Sequence, residues 1–149
     1  MKIMKRLLLL LALLPTPVFA GGTDFGIYYN LSNGGYSGHL GFYLEGNPLA
    51  ARGRLIFGEG GGLMGGIDLL YRPLRDFFLE PYLGAGAETL IARQQDVGGL
   101  QMAVGEVSYA VGTFGLAFRL PEIRPFVEVS LCYGENSYAK AGLGFVWWW

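Results

Sequence analysis

The chain has 149 residues; 52% are hydrophobic and only 15% charged, with 25 glycines and a single cysteine. Soluble domains average about 25% charged residues, so this composition argues against an ordinary soluble domain. The formal net charge of −1 argues against a nucleic-acid partner, which calls for a basic patch, and one cysteine excludes an internal disulfide.

The chain opens like an export leader. Met1 to Arg6 carries Lys2, Lys5 and Arg6, Leu7 to Leu14 is apolar, and Pro15 to Ala20 ends in the small-x-small pattern Val18-Phe19-Ala20. This is the pattern of a cleaved secretory signal peptide over residues 1–20. Its apolar run is short of the roughly 20 residues of a membrane-spanning helix. Removing it leaves one domain, 21–149, with 11 − 3 = 8 basic and 12 acidic residues, a formal charge of −4. No cysteine follows the cleavage site, so a lipoprotein signal is not expected. No apolar run in the remainder is long enough for a membrane helix either. An apolar exported chain without a helical span points to a closed sheet, which bonds every backbone group internally and leaves no edge.

Alternation then gives the strands. The first, Thr23 to Asn30, puts Phe25, Ile27 and Tyr29 on one face and Asp24, Gly26 and Tyr28 on the other. Ser32-Asn33-Gly34-Gly35 marks a turn. The second, Ser37 to Gly46, sets Leu40, Phe42 and Leu44 against Ser37, His39, Gly41, Tyr43 and Glu45. The third, Ala51 to Gly58, carries Arg52 and Arg54 on its polar face. The fourth, Leu63 to Arg72, sets Ile67, Leu69 and Tyr71 against Asp68 and Arg72. The fifth, Phe77 to Ala92, alternates Leu79, Leu83, Ala85 and Ala87 with Glu80, Tyr82 and Glu88. The longest connection, Arg93 to Leu100, follows.

The sixth strand lies within Gly105 to Arg119. Val107, Tyr109 and Val111 suggest one register, and Phe114, Leu116 and Phe118 the other; a bulge near Gly112 to Gly115 would reconcile them. The seventh, Arg124 to Tyr133, sets Val127, Val129 and Leu131 against Phe126, Glu128 and Ser130. The last, Ala139 to Trp149, places Ala141, Leu143, Phe145, Trp147 and Trp149 in one apolar row, opposite Lys140, Gly142 and Gly144. Eight strands of about 10 residues fit the length, and bacterial barrels have even strand numbers. Connections after strands two, four and six are short and contain Pro48, Pro73 and Pro121; the others are Gly-, Asn- or Gln-rich. That asymmetry matches short periplasmic turns and longer outer loops. The expected fold is all-β, an eight-stranded antiparallel transmembrane barrel in an up-and-down meander.

The charges fit an interior row. Glu45, Arg52, Arg54, Asp68, Arg72, Glu80, Glu88, Glu128 and Lys140 all fall on faces opposite the apolar rows. A barrel of eight strands is just wide enough for side chains to fill. Four-residue turns put Glu45 across from Arg52 and Arg52 across from Asp68, with Arg72 diagonal to Glu80. Opposite charges are needed there, because an unpaired buried charge costs several kcal/mol. Gly41, Gly84, Gly86, Gly142 and Gly144 leave room for the long side chains. The interior reads as plugged.

With its leader, its eight alternating strands, the segment Pro81-Tyr82-Leu83-Gly84-Ala85-Gly86 and its aromatic closing strand, the chain resembles the small outer-membrane β-barrel proteins, the OmpA-transmembrane-domain and OmpX-like group. The resemblance covers essentially all of 21–149 and rests on patterns. It implies outer-membrane lipid and the barrel-assembly machinery as partners, no cofactor and a monomer. The family's C-terminal assembly signal is polar-x-Gly-x-x-apolar-x-aromatic. Gly144, Trp147 and Trp149 match it, with Phe145 in the same interface belt, while Gly142 stands where a polar residue is usual. The barrel is expected alone, without a following peptidoglycan-binding domain.

Catalysis is not expected. Ser37, His39 and Glu45 share a strand face, and a serine, a histidine and a carboxylate can form a nucleophilic triad. The resemblance offers lipid A-modifying barrels as a precedent. Their deacylases carry His-x-Ser-Asn, and this chain has His39-Leu40-Gly41-Phe42. One histidine without partners at ligand spacing is no metal site. Gly84-Ala85-Gly86 lacks a third glycine, and Gly60 to Gly66 lacks the Lys and Ser/Thr of a phosphate loop, so both are strand or turn glycines. Cys132 reads as a small packing residue. Arg93, Gln94, Gln95 and Asp96, in the longest outer loop, are the contact candidates for an outside partner. The expected role is structural or surface-interactive, with a narrow channel or a lipid A-modifying enzyme as alternatives.

Overall fold

The computed structural model describes residues 21–46, 48–58, 62–74, 77–94 and 99–148. The proposed leader, Gln95, Asp96 and Trp149 lie outside them. The strands are β1 (Gly21–Asn30), β2 (Tyr36–Glu45), β3 (Leu49–Phe57), β4 (Leu63–Tyr71), β5 (Leu79–Gln94), β6 (Leu100–Met102), β7 (Ser108–Phe118), β8 (Ile123–Tyr133) and β9 (Tyr138–Trp148). No described helix is long and apolar enough to cross a membrane.

Every pairing is antiparallel, and the sheet runs β4-β3-β2-β1-β9-β8-β7-β5, closed by β4 against β5. This is an eight-stranded meander barrel, with β6 as a short addition to the end of β5. The seam between β1 and β9 is long and regular, from Gly22↔Trp148 to Asn30↔Lys140. A closed barrel needs no edge protection, because each of its eight strands has two bonded neighbours.

Side-chain alternation splits each strand between two environments. On β8, Arg124, Phe126, Glu128, Ser130 and Cys132 are buried, whereas Val127, Val129, Leu131 and Tyr133 are exposed. The exposed large hydrophobics include Phe25, Ile27, Phe42, Leu69, Leu83, Phe114 and Leu143, from strands all round the barrel. Most charged side chains of the barrel strands are inside, together with an apolar cluster. This inversion of a soluble protein is the arrangement expected when the outer surface meets hydrocarbon.

Three expectations need correction. Arg52 stands across from Tyr43, and Glu45 from Ala50, so Glu45 and Arg52 are not opposite. The turn between β2 and β3 is tighter than four residues, because Gly46 N–H already bonds the Leu49 carbonyl. Arg52 does lie across from Asp68. Second, β7 has no bulge: its pairing with β5 runs unbroken from Leu79↔Phe118 to Thr89↔Ser108. Val111 belongs to the inner face and Phe114 to the outer face of one regular strand. The irregularity sits instead on β5, where Met64↔Leu90 is followed by Leu63↔Ala92 and Ile91 is the extra residue. Third, the connection after the fifth strand is shorter than expected. β5 extends to Gln94, and β6 pairs back onto it through Ala92↔Met102 and Gln94↔Leu100.

Candidate functional site: a layered lumen and an outer hairpin

The lumen is stacked in three layers. Near the Pro-containing turns, Arg72 donates to Glu45 and to Glu80. Arg124 Nη1 joins them, 3.3 Å from Glu80 Oε2 and 3.6 Å from Glu45 Oε1. Arg72 and Glu80 thus meet as their diagonal placement predicts.

The middle layer is apolar and aromatic: Tyr43, Ala50, Leu70, Tyr82, Ala117, Phe126 and Val146 form one buried cluster. Tyr43, Ala50, Leu70, Tyr82 and Phe126 each lie two residues from a charged residue along their strands, so one step of the inner row changes the chemistry there from ionic to apolar. Between this layer and the Arg72 cluster remains a cavity of about 10 Å3. That is about the space one water needs.

The third layer is the largest. Arg52 Nε donates to Asp68 Oδ2 at 2.9 Å, and Arg52 Nη1 to Glu128 Oε2 at 3.0 Å. Arg54 donates to Asp68 Oδ1 at 3.0 Å and reaches Glu88 Oε1 at 2.9 Å. Lys140 Nζ donates to the same Glu88 oxygen at 2.6 Å and lies 4.8 Å from the Tyr28 ring centre. Glu128 also accepts from two phenols, Tyr28 and, at 2.7 Å, Tyr82. His39 Nε2 sits 2.8 Å from Asp24 Oδ1, and its imidazole stacks on Tyr28 at 4.7 Å. Glycine makes room for two of these phenols. A β-carbon at Gly142 would collide with the Tyr28 ring, and one at Gly115 with the Tyr82 ring.

All nine charged residues assigned to the lumen from sequence are buried in these layers. Sequence reasoning missed three partners: Asp24, Arg124 and the role of His39. Asp24 was on the correct face, but its partner depends on the β1–β2 register, which pairs Gly26 with His39 and Asp24 with Gly41. Arg124 opens the predicted seventh strand, and the structure sets it on the inner row with Phe126 and Glu128. Ser37, His39 and Glu45 do share an inner row, but His39 is engaged with Asp24 and Glu45 with Arg72.

The other assigned residues sit on the seam and at the rim. Gly144 pairs with Gly26, and Phe145 with Phe25. A β-carbon at Gly144 would strike the Phe25 carbonyl oxygen and the Gly26 α-carbon. Trp147 is exposed on the outer face near the turn end. At the opposite end Arg93 pairs with Gln101 and makes an exposed ion pair with Glu106. Gln94 pairs with Leu100 through its backbone. Above Lys140, a mouth of about 150 Å3 is lined by Asn30, Asn33, Ser37 and Tyr138 among others. Among the described residues no His/Cys/Asp/Glu group is arranged to hold a metal ion.

No protein-family model matches the sequence, and no curated protein matches it. Solved structures do match its fold. The N-terminal β-barrel domain of Pseudomonas aeruginosa OprF is similar with a TM-score of 0.65 and 18% identity, over 87% of this chain and 97% of that one. The Yersinia pestis outer membrane protein Ail gives 0.59 and 12% identity, over 88% and 99%. A designed transmembrane β-barrel gives 0.67 and 14%, over 87% and 95%. A designed barrel matches as well as natural ones do, so the likeness carries the fold and not a role. The chain has the fold of the small eight-stranded outer-membrane β-barrels.

Proposed function

We propose that this chain is a small non-enzymatic barrel of the bacterial outer membrane, with a structural or surface-interaction role and a lumen that does not conduct. The observation that carries this is the filled interior. Two charged layers enclose an apolar middle layer, and the gap beside that layer is about 10 Å3. A hydrated ion needs a continuous polar path, and aromatic side chains cross this one.

In this reading the apolar belt meets lipid, the Pro-containing turns face the periplasm, and the longer connections face outward. The seam strand β9 carries the pattern read by the assembly machinery. The barrel works as a monomer, because closure of β4 on β5 leaves no barrel strand unpaired. His39 serves packing: it is buried between Asp24 and Tyr28, away from the lipid-facing surface where a lipid A-modifying site would stand.

Two measurements test the proposal. Detergent-extracted protein should migrate differently on a gel before and after boiling, and should be found in the outer-membrane fraction. The folded protein should give no steps in planar-bilayer conductance. Reproducible ion-selective steps would replace the closed barrel with a channel. Lipid A that changes when His39→Ala is introduced would replace it with an enzyme.

A further inference from the structure

We infer that the hairpin formed by the end of β5 and by β6 lies on the outer leaflet, with Leu100 and Met102 seated among lipid acyl chains. The inference rests on the membrane reading above and adds a contact that the barrel itself does not require.

The register carries it. Phe57 pairs with Leu63, Leu63 with Ala92, and Ala92 with Met102, so four residues form one cross-strand row. Cross-strand partners project to the same face of a sheet. Phe57 is exposed and stands on the outer face of β3, within the apolar belt. Ala92 itself is buried, and beyond it the exposed Met102 takes up the belt row, with Leu100, two residues on, following it.

The bulge on β5 makes this possible. Below it the even residues of β5, such as Glu80, Tyr82 and Glu88, face the lumen. Without the extra residue Ile91, Ala92 and its partner Met102 would face inward as well. The insertion sets Ala92 opposite Leu63, the partner of Phe57, and so brings the apolar residues of β6 into register with the belt row. Leu100 is 60% exposed, Met102 71% and the following Val104 63%. The opposite face of the hairpin carries the Arg93–Gln101 pair.

The hairpin is also held in place. Ala103 N–H bonds the Ile91 carbonyl at 2.9 Å, Gly105 N–H the Leu90 carbonyl at 3.0 Å, and Leu90 N–H the Val107 carbonyl at 2.8 Å. The Arg93–Glu106 ion pair spans the same loop. An uncharged row of Leu, Met and Val fixed beside a lipid belt has the chemistry of an interfacial anchor, with its polar face to water.

The test uses single cysteines in a Cys132→Ser background, at Leu100, Gln101 and Met102, labelled with an environment-sensitive fluorophore. The protein is folded into phosphatidylcholine vesicles, and the boiling-dependent gel shift is recorded first. Probes at 100 and 102 should be blue-shifted, quenched by nitroxide on the upper acyl chain, and quenched by aqueous iodide several-fold less than the probe at 101. Equal iodide access at the three positions in a barrel that shows the gel shift overturns the inference and leaves the barrel reading intact. Protection that arises only when a second protein is added also overturns it. Absence of the gel shift removes the membrane reading and the anchor together. Where Leu100→Cys or Met102→Cys fails to fold, Val104→Cys, outside the β6 ladder, gives the same readout.

Discussion

The charged layer near the turns holds two arginines and two glutamates; the layer toward the loops holds four carboxylates, three cations and His39. The smaller set is balanced and lies near a mouth, where Arg124 keeps 11% side-chain exposure. The larger set is more enclosed: the side chains of Arg52, Arg54, Glu88 and Glu128 have no exposure, whereas in the smaller set only Glu80 has none. It answers its surplus of carboxylates with neutral donors. Two phenols bond Glu128, and Asp24 meets the imidazole. The comparison teaches that depth changes the solution. Near water, equal numbers of charges suffice. Deeper in, neutral donors add to the cations, because an unsatisfied group there carries its full desolvation penalty; even so, Asp24 Oδ2 and Arg52 Nη2 make no hydrogen bond.

The contrast can be broken most forcefully at Arg52. Arg52→Met leaves Asp68 and Glu128 without their shared cation, and should lower stability by about 3–5 kcal/mol in urea unfolding from lipid vesicles. A loss under about 1 kcal/mol would mean that the deep layer is effectively wet. Next is the seam that encloses both layers. Gly144→Val drives a side chain into the Phe25 carbonyl and should cost about 1–3 kcal/mol, or prevent the boiling-dependent gel shift altogether. Arg124→Met, in the shallow layer, removes contacts of 3.3 and 3.6 Å and should cost only about 1 kcal/mol in the same unfolding assay. If it equals Arg52→Met, the distinction between the layers fails. The smallest effect belongs to an uncharged contact, the 2.9 Å hydrogen bond between Thr113 and Ser130. Thr113→Val should cost about 0.5 kcal/mol, the low end for a neutral hydrogen bond, and adding Ser130→Ala should restore part of it.

The inner and outer rows were legible in the sequence because alternation is local. Phe25, Ile27 and Tyr29 declare one face and Asp24 and Tyr28 the other within a single strand. Partners were not legible to the same degree. Glu45 was assigned to Arg52 by a turn one step too loose, and that step moved it from Arg72, its actual partner. Asp24 and His39 are visible as two polar residues on inner rows, but their meeting needs the β1–β2 register. β6 escaped because three residues are too short for alternation to show. The apparent break in β7 had a different origin. Val111 is apolar yet faces the lumen, where Cys132, on the paired position of β8, leaves space for it. Hydrophobicity marks the lipid face only where the interior is uniformly polar, and this interior has apolar places.

The seam has a consequence in time. Phe25 and Phe145 pair although 145 − 25 = 120 residues separate them, and the Arg52–Glu128 contact spans 76. An early fragment of the chain supplies Asp68 to Arg52 and Arg54 but lacks Glu128, the second partner of Arg52. A half-formed sheet would present Arg52 and Arg54 to hydrocarbon with only part of their counter-charge, so it has no stable resting place in the bilayer. On the membrane reading proposed above, ring closure and passage into the bilayer should therefore be coupled. Contacts this distant in sequence make the event slow.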